Sequence, residues 1–243
     1  MEIRAIAFDV NGTLVDIWTD EGLEEIYRTL RRVLSYQGVD IKRGRLREVY
    51  FAFMKEQRAA SGERYPEFDA AGIFRRIVEE FGSDYTRAMP REKREQLPVF
   101  LAELFRAVSR KKLTPYPFVR EMLDSLRGRY PMAIVTDAQS AYARAELHKV
   151  GLLEYFDPIV VSGDYGYRKP DTRLFQMALA GLGVAAEHTL YVGNDMHRDI
   201  FGAHSAGMKT VLFDSDQGDK GYHGATPDFT TTDYRDLLAF LGA

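Results

Sequence analysis

The chain has 243 residues, 45% of them hydrophobic and 28% charged, with 33 Lys+Arg against 36 Asp+Glu and a net charge of −3. That balance excludes a disordered or fibrous chain and a general nucleic-acid binder, and allows one large domain or a core with a smaller module. Cysteine is absent, which removes disulfide scaffolds, thiolate metal sites and cysteine nucleophiles, and no apolar stretch or leader-like start marks a membrane span or signal peptide. A soluble, cytoplasmic protein with no membrane partner is expected.

Taken in chain order, Ile3–Phe8 is a short apolar run closed by Asp9-Val10-Asn11-Gly12, the pattern of a buried strand ending in a turn. From about residue 17 to 112 the reading finds helices and no strand. Apolar residues recur at helical spacing over Leu23–Leu34, Leu46–Phe53, Ile73–Phe81 and Leu97–Val108, broken at Gly38, Ala59–Pro66 and Gly82–Pro90. Beyond it, strand patterns at Met132–Thr136, Pro158–Ser162, Thr189–Val192 and Thr210–Phe213 alternate with helical ones. The order predicts an α/β fold, a Rossmann-like parallel sheet with helices on both faces, interrupted by an all-α insert. The expected boundaries are residues 1–16 with 113–243 for the core and 17–112 for the insert. Charge follows the same division: the insert carries a net +4 and the remainder −7. The lone Trp18, where the insert begins, reads as a packing residue.

Parallel sheets bind ligands beyond the carboxyl ends of their strands, so the strand ends carry the search for chemistry. Asp9 ends the first strand, in Asp9-Val10-Asn11-Gly12-Thr13, and Thr136, followed by Asp137, ends the second. Lys169 follows the third and precedes Pro170, while Asp195 and Asp199 follow the fourth in Gly193-Asn194-Asp195-Met196-His197-Arg198-Asp199. Singly each has an ordinary reading, such as a turn at Asn11-Gly12 or a helix cap at Asp195 or Asp199. Together they bring a nucleophilic carboxylate, a hydroxyl donor, a fixed ammonium and further acids to one crevice.

These four motifs, in this order and with a helical insert after the first, resemble the haloacid dehalogenase-like hydrolase superfamily, and the resemblance covers essentially the whole chain. The insert resembles the C1-type cap of that superfamily. The resemblance implies a hydrolase, foremost a Mg²⁺-dependent phosphatase of a small phosphorylated metabolite, in which Asp9 forms an aspartyl-phosphate. Thr136 and the backbone N–H groups around Asn11, Gly12 and Asp137 would bind the phosphoryl oxygens, and Lys169 would bridge Asp9 and the phosphoryl group. Mg²⁺ would take Asp9, the backbone carbonyl of Asn11 and an acid of the fourth motif. Asp195 is preferred for that acid, because the Gly-Ala and Ala-Gly sequences that follow then stay in register; the alternative spacing puts Asn194 there. The superfamily's phosphatases place an acid–base aspartate where this chain has Asn11, and an amide cannot protonate a leaving group. That departure keeps two other readings open: a 2-haloacid dehalogenase, or a catalytically weakened binding protein. Asn11 and Asn194 are the two asparagines of the chain.

Overall fold

In the computed structural model, which describes residues 2–242, the first apolar run forms β1 (Ala5–Phe8). β2 (Val15–Thr19) leads into α1 (Glu24–Tyr36), α2 (Arg43–Ala60), α3 (Ala70–Phe81), the single turn α4 (Asp84–Arg87) and α5 (Arg91–Ser109), and β3 (Arg110–Pro115) leads out. The chain continues through α6 (Val119–Leu126), β4 (Met132–Thr136), α7 (Ala143–Lys149), β5 (Ile159–Val161) and α8 (Thr172–Leu182). It ends with β6 (Thr189–Gly193), α9 (Gly202–Ser205), β7 (Lys209–Phe213), β8 (Phe229–Thr231) and α10 (Tyr234–Leu241). Six strands make one parallel sheet in the order β5-β4-β1-β6-β7-β8. β1 lies at its centre, which places Asp9 between the ends of β4 and β6.

Strand alternation divides the core between the two faces of this sheet. Ile6, Phe8, Ile134 and Val192 pack under α6 and α10, against Met122, Leu126, Tyr234 and Leu237. Ala7, Ala133, Val135 and Tyr191 face α8, against Leu174, Phe175 and Ala178. The alanines leave room on this second face for two rings: Phe175 meets Tyr191 edge-on at 5.0 Å. Asp9 has the parity of Ala7, so it emerges on the same face as Tyr191.

The chain divides into two compact units, residues 1–17 with 113–243 and residues 18–112. The second unit is built from helices that pack in the cycle α1–α2–α3–α5–α1. Its centre is aromatic: Tyr50 stacks on Phe105 at 4.5 Å and lies 5.3 Å from Phe74.

Three features depart from the sequence expectation. β2 and β3 pair as a separate two-stranded ribbon where no strand was expected near the ends of the insert. Arg110-Lys111-Lys112 supplies no apolar run, because this strand is largely exposed. β8 is three residues long, too short to register as a pattern. Trp18 is 61% exposed, so it is not a packing residue. No helix among the described residues is long and apolar enough to cross a membrane.

Candidate active site

Lys169 organises the site. It precedes Asp171, which caps α8 by accepting from the Arg173 N–H, so its backbone is held at the start of that helix on the Tyr191 face. Its own N–H donates to Asp137 Oδ1 at 2.9 Å. The side chain is enclosed, and Nζ reaches Asp9 Oδ1 at 2.7 Å, Asp199 Oδ1 at 2.6 Å, the Val135 carbonyl at 3.1 Å and the Tyr191 hydroxyl at 3.1 Å. Burial opposes the ammonium charge, but Asp199 and Asp9 outweigh it and push the Lys169 pKa well up. The lysine therefore stays cationic beside the nucleophile.

The fourth motif bends into a π-helical turn over Met196–Phe201, a feature common at functional sites. This turn brings Asp199 back under the strand end, where its Oδ2 accepts from the N–H groups of Asn194 and Asp195, both at 3.0 Å. Gly193 is required there: a Cβ would sit 2.4 Å from the Cβ of Asp199.

Asp195, the expected metal ligand, points elsewhere. Its Oδ1 accepts from the N–H groups of His197 and Arg198, and its Oδ2 from Arg198 Nε and the Asp219 N–H. It is the cap of the π-helical turn, the ordinary reading of the motif. Burial alone would raise its pKa, but these N–H donors and the Arg198 guanidinium outweigh it and hold the carboxyl below the usual range. Asn194 occupies the position facing the nucleophile instead. The Thr13 hydroxyl lies 3.2 Å from both Asp9 Oδ2 and Asn194 Oδ1. Gly12 makes this closeness possible, since at its φ of +82° a Cβ would lie 2.3 Å from Asn194 Nδ2. The Gly12 N–H, expected to meet a phosphoryl oxygen, instead donates to the Val15 carbonyl at 2.8 Å and closes the turn.

Thr136 stands at the end of β4 beside Asp9, as the pairing of Phe8 with Ile134 requires. Its Oγ1 is buried without a hydrogen-bond partner, as is Asp137 Oδ2, which has only Arg198 Nη1 at 3.7 Å. An unpaired buried hydroxyl costs about 1–3 kcal/mol, a cost that an arriving oxygen relieves. Asn11 is half-buried and opens on a small cavity with Thr136. The structure thus brings Asp9, Lys169, Thr136 and Asn11 to one end of the sheet, together with Asp199 and Asn194 of the fourth motif, and adds Thr13 and Tyr191. Of the additions, Thr13 lies within the first motif, whereas Tyr191 reads in the sequence only as a strand residue.

Among the described residues no group of three or more His, Asp or Glu side chains is arranged to hold a metal ion. The oxygens that remain, from the Asp9 carboxylate, the Asn11 carbonyl and the Asn194 amide, are nonetheless of the hard type Mg²⁺ takes alongside water and substrate oxygens. Charge agrees. Four enclosed carboxylates, Asp9, Asp137, Asp195 and Asp199, meet only Lys169 and the half-buried Arg198, an excess of two negative charges. The residues fit a divalent cation, with Asn194 rather than Asp195 facing it.

Comparison with known proteins follows the same lines. The chain is 32% identical to a phosphoserine phosphatase of Thermus thermophilus over 167 residues, 68% of this chain but only 62% of that protein. It is 29% identical to a glyceraldehyde 3-phosphate phosphatase of Methanothermobacter thermautotrophicus, over 88% of this chain and 87% of that one. In fold it is similar to a 2-haloacid dehalogenase from Pseudomonas syringae (TM-score 0.69, 21% identity, 99% and 98% of the two chains). It is also similar to a phosphatase from Thermococcus onnurineus (TM-score 0.60, 24% identity, 99% and 98%). The family model for haloacid dehalogenase-like hydrolases matches residues 6–213. With that match running from β1 to β7 and taking in the insert and all four strand-end motifs, the chain belongs to the haloacid dehalogenase-like hydrolases.

Proposed function

We propose that this hydrolase is a Mg²⁺-dependent phosphatase of a small phosphorylated metabolite and that it works through an aspartyl-phosphate on Asp9. The observation that carries the reading is the pairing of a lysine-held carboxylate with an unpartnered buried hydroxyl: Lys169 Nζ lies 2.7 Å from Asp9, and Thr136 Oγ1 waits for an acceptor. The phosphatase names of the relatives support it.

In this mechanism the Asp9 carboxylate attacks phosphorus and expels the alcohol, and water then cleaves the acyl-phosphate and restores Asp9. Thr136 donates to a phosphoryl oxygen throughout. Lys169 offsets the charge that gathers as carboxylate and phosphoryl group approach, held in line by Asp199, Tyr191 and the Val135 carbonyl. Asp9, the Asn11 carbonyl and Asn194 would hold Mg²⁺, whose contribution is to neutralise charge that would otherwise repel a phosphate from this acidic site.

Neutral amides at Asn11 and Asn194 favour a second reading, attack of Asp9 on the carbon of a 2-haloacid without metal. A screen of phosphorylated metabolites and 2-haloacids, each with and without Mg²⁺, separates the two. Phosphate release only with Mg²⁺ is expected; halide release that ignores chelators would move the dehalogenase reading ahead.

A further inference from the structure

The insert carries a net charge of +4, and the excess is not spread evenly over it. Arg28, Arg31 and Arg32 share one face of α1, at the spacing i, i+3 and i+4, while Lys42 and Arg43 stand where α2 begins. Both placements work against the helices that bear them. Like charges three and four residues apart repel each other along α1. At the start of α2 the peptide dipoles favour acids, yet its first turn has none and follows directly on two cations. Helix stability does not account for these five residues.

What the five share is a hollow. They line a concavity of about 490 Å³, the size of a small-ligand pocket, and all of them are exposed. Glu24 pairs with Arg43 at 3.2 Å, and among the described residues no carboxylate pairs with the other four. A second hollow of the insert, of about 380 Å³ with Arg75, Arg87, Arg91 and Arg94 in its wall, has the opposite character. Glu79 and Glu95 stand beside those arginines, and Arg91 is tied to Glu95 at 2.7 Å and Arg87 to Asp84 at 3.0 Å. There the protein supplies its own counter-charge. In the first hollow the charge is left for a ligand.

We propose that the hollow lined by Arg28, Arg31, Arg32, Lys42 and Arg43 binds a short polyphosphate, a chain of phosphates joined by anhydride bonds. Guanidinium groups grip phosphate oxygens through parallel N–H donors, and the lysine adds a point charge. A lone phosphate group carries about −1.5 to −2 near neutral pH, too little to balance the four unpaired cations, whereas a chain of two or three phosphates balances them. Among the described residues the lining offers no aromatic ring or amide to read a base, so the recognised part is the phosphate chain itself. A long nucleic acid would need an extended basic track, and the chain as a whole is acidic. Every residue of this site belongs to the insert, so the inference does not depend on the phosphatase reading.

The test is calorimetric titration of the full chain with inorganic tripolyphosphate, in buffer with EDTA and no Mg²⁺ so that turnover does not consume the probe. Binding to a single saturable site is expected, weakening as salt rises. Arg28→Gln and Arg32→Gln should each weaken it about tenfold or more, because each removes a charge-assisted contact. Both residues are exposed, so the variants keep the fold and, with less repulsion along α1, should melt no lower than the natural protein. Two controls fix the place. Arg91→Gln takes the same charge from the second hollow, and Thr136→Val takes the hydroxyl from the candidate active site; both should leave the affinity within a few-fold. ATP separates the sources of the ligand: affinity close to that of tripolyphosphate shows that a nucleotide's phosphate tail suffices, and much weaker binding assigns the site to free polyphosphate. Much tighter binding of ATP would mean that a base is read, and would overturn the assignment. So would the lack of any saturable binding, or an equal loss in Arg91→Gln, which marks a diffuse response to charge. A loss confined to Thr136→Val, which puts the ligand at the active site, or tighter binding of a single-stranded oligonucleotide overturns it as well.

Discussion

Lys169 has three protons to donate and four acceptors within reach, so the Tyr191 hydroxyl does more than fill space. It passes a hydrogen bond on to the Val135 carbonyl at 3.0 Å and leaves the two carboxylates as the lysine's charged partners. Removing the lysine strands Asp9 and Asp199, buried and without compensation. Lys169→Met should therefore cost about 3–5 kcal/mol of stability as well as activity, read by urea unfolding beside a turnover assay. Asp9→Asn should abolish turnover and keep the fold, because Asp199 still balances the ammonium; turnover at the natural level would overthrow the mechanism. The metal assignment has its own test. Asn194→Asp puts a charge on the side chain that faces Asp9 and should tighten Mg²⁺ binding about tenfold or more, about 1.4 kcal/mol, measured by calorimetry. Asp195→Asn should leave Mg²⁺ affinity within a few-fold and lower stability instead.

At the scale of elements, the site is made by interruptions of regular structure. The Gly12 turn, with φ of +82°, admits the Asn194 amide, and the π-helical turn folds Asp199 back under Lys169. Within that turn the Asp195 carbonyl accepts from both the Asp199 N–H at 3.0 Å and the Ile200 N–H at 3.1 Å, so the four-residue and five-residue bonds share one acceptor. The insert relies on packing in the ordinary way. Phe105 contacts Tyr50, Phe74 and Tyr27, and α5 carries Pro98 in its interior, which forgoes one helical hydrogen bond. Phe105→Ala should thus destabilise by about 3–5 kcal/mol, checked by denaturant titration with tryptophan fluorescence from Trp18 and by far-ultraviolet circular dichroism.

For the whole molecule, pH acts through carboxylates shifted in opposite directions. The Asp195 pKa lies below the usual range in the folded protein, so its contribution is complete above about pH 4, the unfolded value, and is lost as pH falls through the depressed one. Burial pushes the Asp137 pKa up against the pull of Lys169, so the folded state takes up that proton first and gains stability as pH falls through the raised value. Urea unfolding at a series of pH values should show the gap between the natural protein and Asp195→Asn narrowing below about pH 4. Against Asp137→Asn, the natural protein should gain ground as pH drops toward 4. A gap for Asp195→Asn that widens in acid would refute the assignment of Arg198 and its neighbours as the cause.

Sequence by itself determined the layers. Apolar runs of four to six residues alternating with helical stripes leave few packings other than a parallel sheet covered on both faces, and Asp9, Thr136 and Lys169 follow because strand ends meet at one edge. Local chemistry was enough there. It was not enough to choose between Asn194 and Asp195, adjacent residues of similar shape, because the choice depends on which one the π-helical turn uses as its cap. That is settled by the N–H groups of His197, Arg198 and Asp219, the last of them 24 residues away. Nor could spacing show what the buried stripe of α7 packs against. A helical pattern fixes which residues share a face, and only the tertiary packing of the helix decides what that face meets.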